Sequence, residues 1–269
     1  MQQPDSRGIY ILYILSLPVI ICALKMKGGT AMEENRSVQP DGELFSTPFC
    51  KEYWIQACRE FRNLKMLLFA ALMVALRVAL KSVSIPVGAD LRIGVGFFVN
   101  AFGSMVYGPV VAALGAAVSD TLGALLFPTG PYFPLFLITE AAGSVLFALF
   151  LYRADLTVTR VTLSRFCIDF FVNIVLNTPV MMLYYRIMLG KSYRILHWPR
   201  IVKNLVMFPI ESVLLVLFLR TVMAGCTPLG IIHSRYDRLR FSKKNIAVLA
   251  VLTLIGAAAV IIYIVWKNG

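Results

Sequence analysis

The sequence predicts an all-α integral membrane protein: a core of six helices, an extra transmembrane helix at the C-terminus and a hydrophobic segment near the N-terminus. Three observations carry this reading. Hydrophobic residues fill 59% of the 269 positions and charged residues only 15%, against about half and about a quarter in soluble domains. The apolar residues are gathered in blocks of roughly 20, enough to cross a hydrocarbon core about 30 Å thick. The Lys and Arg behind the net charge of +12 sit mainly between those blocks, as in the loops of membrane proteins. No basic stripe interleaved with aromatics runs along the chain, so the charge implies a lipid bilayer and no nucleic acid.

The elements follow in order. Residues 9–24 are apolar but short for a span and hold Pro18. They make a poor signal peptide, with Asp5 in the leading segment and no A-x-A site after them. Met26 and Met32 offer alternative starts. Residues 27–50 read as a polar cytosolic linker. The first core span covers 64–82, and 83–92 form a loop with Pro86 and Gly88. The second covers 93–107, Gly108-Pro109 marks a tight turn, and the third covers 110–127. Three prolines in 127–134 forbid regular helix there. The fourth span is 135–152, the fifth about 163–187 and the sixth about 200–222, with a featureless apolar span at 246–266 after a basic loop. The domains are therefore 1–59, an extension and linker; 60–222, the six-helix membrane domain; and 223–269, a basic loop and extra helix.

With the start of the first span in the cytosol, the inward loops hold twelve Lys or Arg, from Arg59 through Arg153, Arg160 and Arg165 to Lys244, and the outward ones six. That excess sets the orientation. The outward positives, Lys81, Arg92, Arg186, Lys191, Arg194 and Arg200, oppose the rule and point to an anionic ligand. The five cysteines form no C-x-x-C pair and read as inert thiols.

Polar residues recur at helical spacing inside the spans. Arg92, Gly96, Asn100 and Ser104 line one face of the second span; Asp169, Asn173 and Asn177 line one face of the fifth. Asp120 lies on the third span, and Arg200, Lys203, Asn204 and Glu211 on the sixth. Ionisable groups at membrane depth face a cavity or each other; pairing of Asp120 with Arg77 is the structural alternative. Stripes on four spans suggest a central polar pocket opening outward. On the first span, Ala71, Ala75 and Ala79 make a smooth face for close helix approach, about 200° from Arg77, with Lys81 one turn above Arg77. Gly190-Lys191-Ser192 lacks the glycine and the strand of a phosphate-binding loop. With no metal, nucleophile or ATPase motif, the chain is expected to be no enzyme, to hold no cofactor, and to draw any energy from a partner.

The run RVALKSVSIPVGADLRIGVGFFVNAFGSMVYGPVVAALGAAVSDTLGALLFPTGPYFP, with PRIVKNLVMFPIESVLL at 199–215, resembles the folate-family substrate-binding (S) component of energy-coupling factor (ECF) vitamin transporters, over about residues 60–222. The alanine stripe is similar to the A-x-x-x-A surface by which S components meet the coupling subunit. The resemblance implies a six-helix chain in the cell membrane that binds its vitamin alone from outside, then joins a membrane coupling (T) subunit and two cytosolic ATPases that use ATP. The N-terminal extension and the seventh span depart from the pattern.

Folate fits these residues chemically. A pterin edge wants paired donors and acceptors, which Asp120, Asn100, Asn173 and Asn177 offer, with Asn204 a further candidate binding residue. Its rings want stacking partners among Phe97, Tyr132, Phe133 and Trp198. Its dianionic tail wants cations among Arg77, Lys81, Arg92, Arg200 and Lys203. The competing readings are an S component for another vitamin or modified base and, from a different class, a membrane enzyme acting on lipid. The second needs clustered carboxylates, metal ligands or a nucleophile, and the acidic residues are scattered.

Overall fold

The computed structural model describes residues 48–81, 84–86, 92–128, 131–191, 198–226 and 243–268. The apolar run at 9–24 and nearly all of the basic loop lie outside them.

The described residues form seven helices and one small hairpin. Helix α1 (Lys51–Glu60), within a stretch the sequence reading left as linker, is followed by α2 (Leu64–Leu80) at an angle of 78°. The Asn63 side chain accepts from the backbone N–H of Lys65 and starts α2. The segment read as a loop at 83–92 contains β1 (Ser84–Pro86), paired antiparallel with β2 (Arg92–Gly94).

Helix α3 (Gly96–Leu126) is broken where the turn was expected: Gly108 has φ 77 and ψ 177, and Pro109 opens the second half. A side chain at Gly108 would be strained and would also press on the Tyr152 ring, 3.0 Å away. Nearly every residue of the first half is buried, as befits a helix that is apolar all round and enclosed by neighbours.

Helix α4 is Phe136–Leu151 and packs on α3. Helix α5 (Val158–Met188) starts earlier than expected, because Thr157 caps it by accepting from the N–H of Arg160. Arg160 and Arg165 are therefore helical residues and not loop residues. Its middle, Ile168–Leu176, is a π-helix, a rare geometry that is frequent at functional sites. Helices α6 (Trp198–Cys226) and α7 (Lys243–Asn268) pack together, with Gly256 against Ile210 and Pro209.

Among the described residues, three helices are long and apolar enough to cross a membrane, α3, α5 and α6, or four if α1 and α2 are one bent span. Phe136–Leu151 and Lys244–Ala258 are apolar but shorter. The main core joins α2 to α6, from Met73, Phe98 and Phe102 to Phe147, Val161, Leu215 and Leu219. Cys50, Cys167 and Cys226 are free thiols, whereas Cys58 is in a disulfide, which corrects the thiol reading for that residue.

Candidate ligand-binding cavity

A cavity of about 310 Å³ lies among α2, α3, α4 and α5, with Gly94 at the end of β2 in its lining. That is within the size range of small-molecule sites. Its lining includes Arg77, Lys81, Phe97, Asn100, Glu140, Arg165, Asn173 and Asn177.

Arg77 comes from the inner face of α2, where Met73 and Val78 are also buried. Its guanidinium donates to Asn100 Oδ1 (3.0 Å), Ser144 Oγ (3.3 Å) and Glu140 Oε2 (2.7 Å). Ser144 donates in turn to Asn100 Oδ1 (2.7 Å), so one Asn oxygen and one carboxylate fix the plane of the guanidinium. Five donors in a rigid fork make Arg suited to such multiple fixing. The sequence reading offered Asp120 as the partner of Arg77; Glu140 takes that place.

Asp120 pairs with Lys81 instead, Oδ1 to Nζ at 2.5 Å, one turn nearer the end of α2. The Lys81 stem runs over Gly123, where a Cβ would collide with it. Snorkelling of this kind lays the methylenes on the helix and leaves the ammonium exposed.

The third cation is Arg165. It is buried, salt-bridged to Glu211 on α6 and to Asp169 (3.1 Å), and its guanidinium stands 4.7 Å over the Phe97 ring. Asp169 accepts from Asn173 Nδ2 at 2.9 Å, so the π-helical stripe is held by its own hydrogen bonds. Asp169 Oδ2 and Asn177 Oδ1 are buried without a hydrogen-bond partner, the condition of groups that await one.

The expected site residues are thus divided. The cavity gathers Arg77, Lys81, Phe97, Asn100, Asn173 and Asn177. Lys203 and Asn204 are half-buried on α6 and do not line it. Phe133 is buried against Phe136 and Tyr184, and Tyr132 is exposed with its hydroxyl 3.3 Å from Thr121 Oγ1; neither lines the cavity. The side chains of Arg92, Trp198 and Arg200 lie outside the described residues. The expectation missed Glu140 and Arg165. Glu140 is the sole acid in the apolar block at 135–152, and an isolated ionisable residue at membrane depth is a signal in itself. Arg165 was missed because, although inside the expected fifth span, it was counted with the positive charges of the inward loops. The alanines Ala71, Ala75 and Ala79 are exposed, on the side of α2 away from the cavity.

Comparison with known proteins gives four matches. The family model described as "ECF-type riboflavin transporter, S component" matches residues 62–225. The folate transporter FolT of Clostridium novyi (strain NT) is 32% identical over 157 residues, 57% of this chain and 87% of the relative. The folate transporter FolT of Leuconostoc mesenteroides is 28% identical over 143 residues, 52% and 77% of the two chains. Among solved structures, a crystal structure of FolT bound with folic acid matches with a TM-score of 0.49 and 26% identity, over 56% of this chain and 89% of that one.

Proposed function

The chain belongs to the ECF-type transporter S-component family, and from that premise we propose that it captures folate in the cavity among α2, α3, α4 and α5 and hands it to an ATP-driven coupling module. It is a membrane transport component and not an enzyme. The observation that carries the reading is that one cavity presents Arg77, Lys81, Glu140, Asn100 and Phe97 together, in a chain similar to two folate transporters.

The chemistry divides between two parts of the cavity lining. In one part, Glu140 keeps one carboxylate oxygen beyond its bond to Arg77, in the cavity it shares with Asn100 and the unpartnered Asn177 Oδ1. A carboxylate acceptor beside amide groups matches the donor-rich edge of a pterin. Phe97, already stacked under Arg165, offers a ring face to the pterin or the aminobenzoate. In the other part, the exposed Lys81 ammonium, beside Asp120, meets the anionic glutamate tail. This moves Arg77 from the tail to the pterin end, because its fork is already filled by Glu140, Asn100 and Ser144.

The partners are a membrane coupling subunit and two cytosolic ATPases, and the location is the cell membrane. The exposed Ala71, Ala75 and Ala79 on α2 form the coupling contact, since small faces allow close helix approach.

A second reading has a specific observation behind it: the matched family is described by riboflavin. Riboflavin is neutral and has no use for Lys81. Titration of the purified chain in detergent with folate, pteroate and riboflavin tests both. Folate is expected to bind without ATP, and riboflavin is expected not to compete. Binding of riboflavin in preference to folate overturns the assignment in favour of the second reading.

A further inference from the structure

Helix α1 takes no part in the cavity. It meets α2 at 78°, so its ten residues advance only about 3 Å along the axis of α2. It therefore adds nothing to the crossing and runs along the plane that α2 pierces.

Its inner side is clamped to the bundle. Tyr53 donates to the carbonyl of Ala148 (3.0 Å), and Glu60 accepts from Tyr152 (3.2 Å) and Arg153 (3.1 Å), both of them buried. Tyr53, Ala57 and Glu60 fall within about 60° of the helix circumference, and all three are buried.

The outer side is of another kind. Lys51, Trp54, Ile55 and Arg59 share an arc of about 140° and are exposed, with the half-buried, disulfide-bonded Cys58 between them. Arg62 and Lys65 extend the row into the break and the first turn of α2, also exposed. Among the described residues, none of these four cations is in an ion pair, and the one exposed acid nearby is Glu52, since Glu60 is consumed by Arg153.

We infer that α1 is a fixed interfacial shelf that binds anionic phospholipid, with Trp54 and Ile55 seated at the acyl boundary and Lys51, Arg59, Arg62 and Lys65 on the lipid phosphates. Apolar and cationic side chains alternate on one face, and the headgroup region is layered in the same way over a few ångströms. Trp sits preferentially at that level, and long cations reach from it to phosphate. Each cation near an anionic leaflet favours its lipids about fivefold. Because the inner face is locked by buried hydrogen bonds, the shelf fixes the depth of α2 in the bilayer.

The test uses the full chain in lipid nanodiscs, with Trp198→Phe and Trp266→Phe so that Trp54 is the single tryptophan. Bromine on the acyl chains of either phosphatidylglycerol or phosphatidylcholine, at equal mole fraction of each lipid, quenches the fluorophores it touches. Bromine on phosphatidylglycerol is expected to quench Trp54 at least about twofold more than bromine on phosphatidylcholine. Raising the salt from about 0.05 to about 0.5 M is expected to erase the difference, as is the triple change Lys51→Ala, Arg59→Ala and Arg62→Ala. Because the salt arm uses unaltered α1, it stands even where the triple variant misfolds. Equal quenching by the two lipids overturns the lipid preference. Absence of quenching by both overturns the shelf itself and assigns this face to a protein segment.

Discussion

Arg77 and Glu140 meet at 2.7 Å across the cavity, but unequally: the arginine side chain is 10% exposed and the glutamate 39%. The cation is spent inside the protein, while the carboxylate still faces the space a ligand would enter. A buried Arg of this kind acts as a brace, and its acidic partner is left free to meet a ligand.

Glu140→Gln is therefore expected to weaken folate and pteroate alike. A hydrogen bond to a charged group is worth about 1.5–3 kcal/mol, or one to two powers of ten in affinity by isothermal titration. A loss confined to folate would place Glu140 away from the pterin.

Lys81 has the opposite expected pattern. Lys81→Ala should lower folate affinity up to about fivefold and leave pteroate, which lacks the glutamate, unchanged. The folate effect should shrink at high salt, because this ammonium is exposed. Equal weakening of both ligands, measured at two salt concentrations, would move Lys81 to the pterin end.

Asp120 tests the correction to its role. Its carboxylate engages Lys81 and not Arg77, so Asp120→Asn should keep pteroate binding and hold or raise folate binding by freeing the ammonium. A fall of tenfold or more for pteroate in the same titration would restore Asp120 as a pterin ligand.

The exposed side of α2 separates capture from transport. Ala75→Trp should leave folate affinity unchanged, since Ala75 faces away from the cavity. It should abolish uptake in cells that have the ATPases, and co-purification with the coupling subunit, by blocking close approach. Lost binding with intact assembly would reverse the two faces.

Glu211 is a stability prediction. With Arg165 and Asp169 it forms a buried cluster between α5 and α6. Glu211→Ala should cost about 3–5 kcal/mol, as removing one partner of a buried pair does, read as a lower midpoint of thermal unfolding in detergent. An unchanged midpoint would mean that Arg165 finds other anions.

Much of the chain was legible from sequence because membrane chemistry is severe. Blocks of apolar residues, Gly108-Pro109 and the prolines near Pro131 leave the backbone few choices, and the helices stand close to where the pattern put them. The alanine spacing placed Ala71, Ala75 and Ala79 opposite Arg77 by helical geometry alone. Helix α1 was less legible, since ten residues of mixed polarity carry no spanning pattern and their buried face is defined only by Ala148, Tyr152 and Arg153 far along the chain.

The pairing of charges was beyond the sequence. Spacing along one helix fixes which residues share its face, and so Arg77, Asn100 and Asn173 were found as members of stripes. Which carboxylate meets which cation depends on the rotation and depth of separate helices, set by the packing of Phe98, Phe102 and Phe147 in the core. Two acids, Asp120 and Glu140, stood within plausible reach of Arg77, and only the tertiary structure decided that Glu140 takes Arg77 while Asp120 takes Lys81. The sequence alone determined the membrane class, the spans and the faces; packing determined the cavity, because a Coulomb contact is a matter of a few ångströms between chains of residues that the sequence keeps up to 63 positions apart.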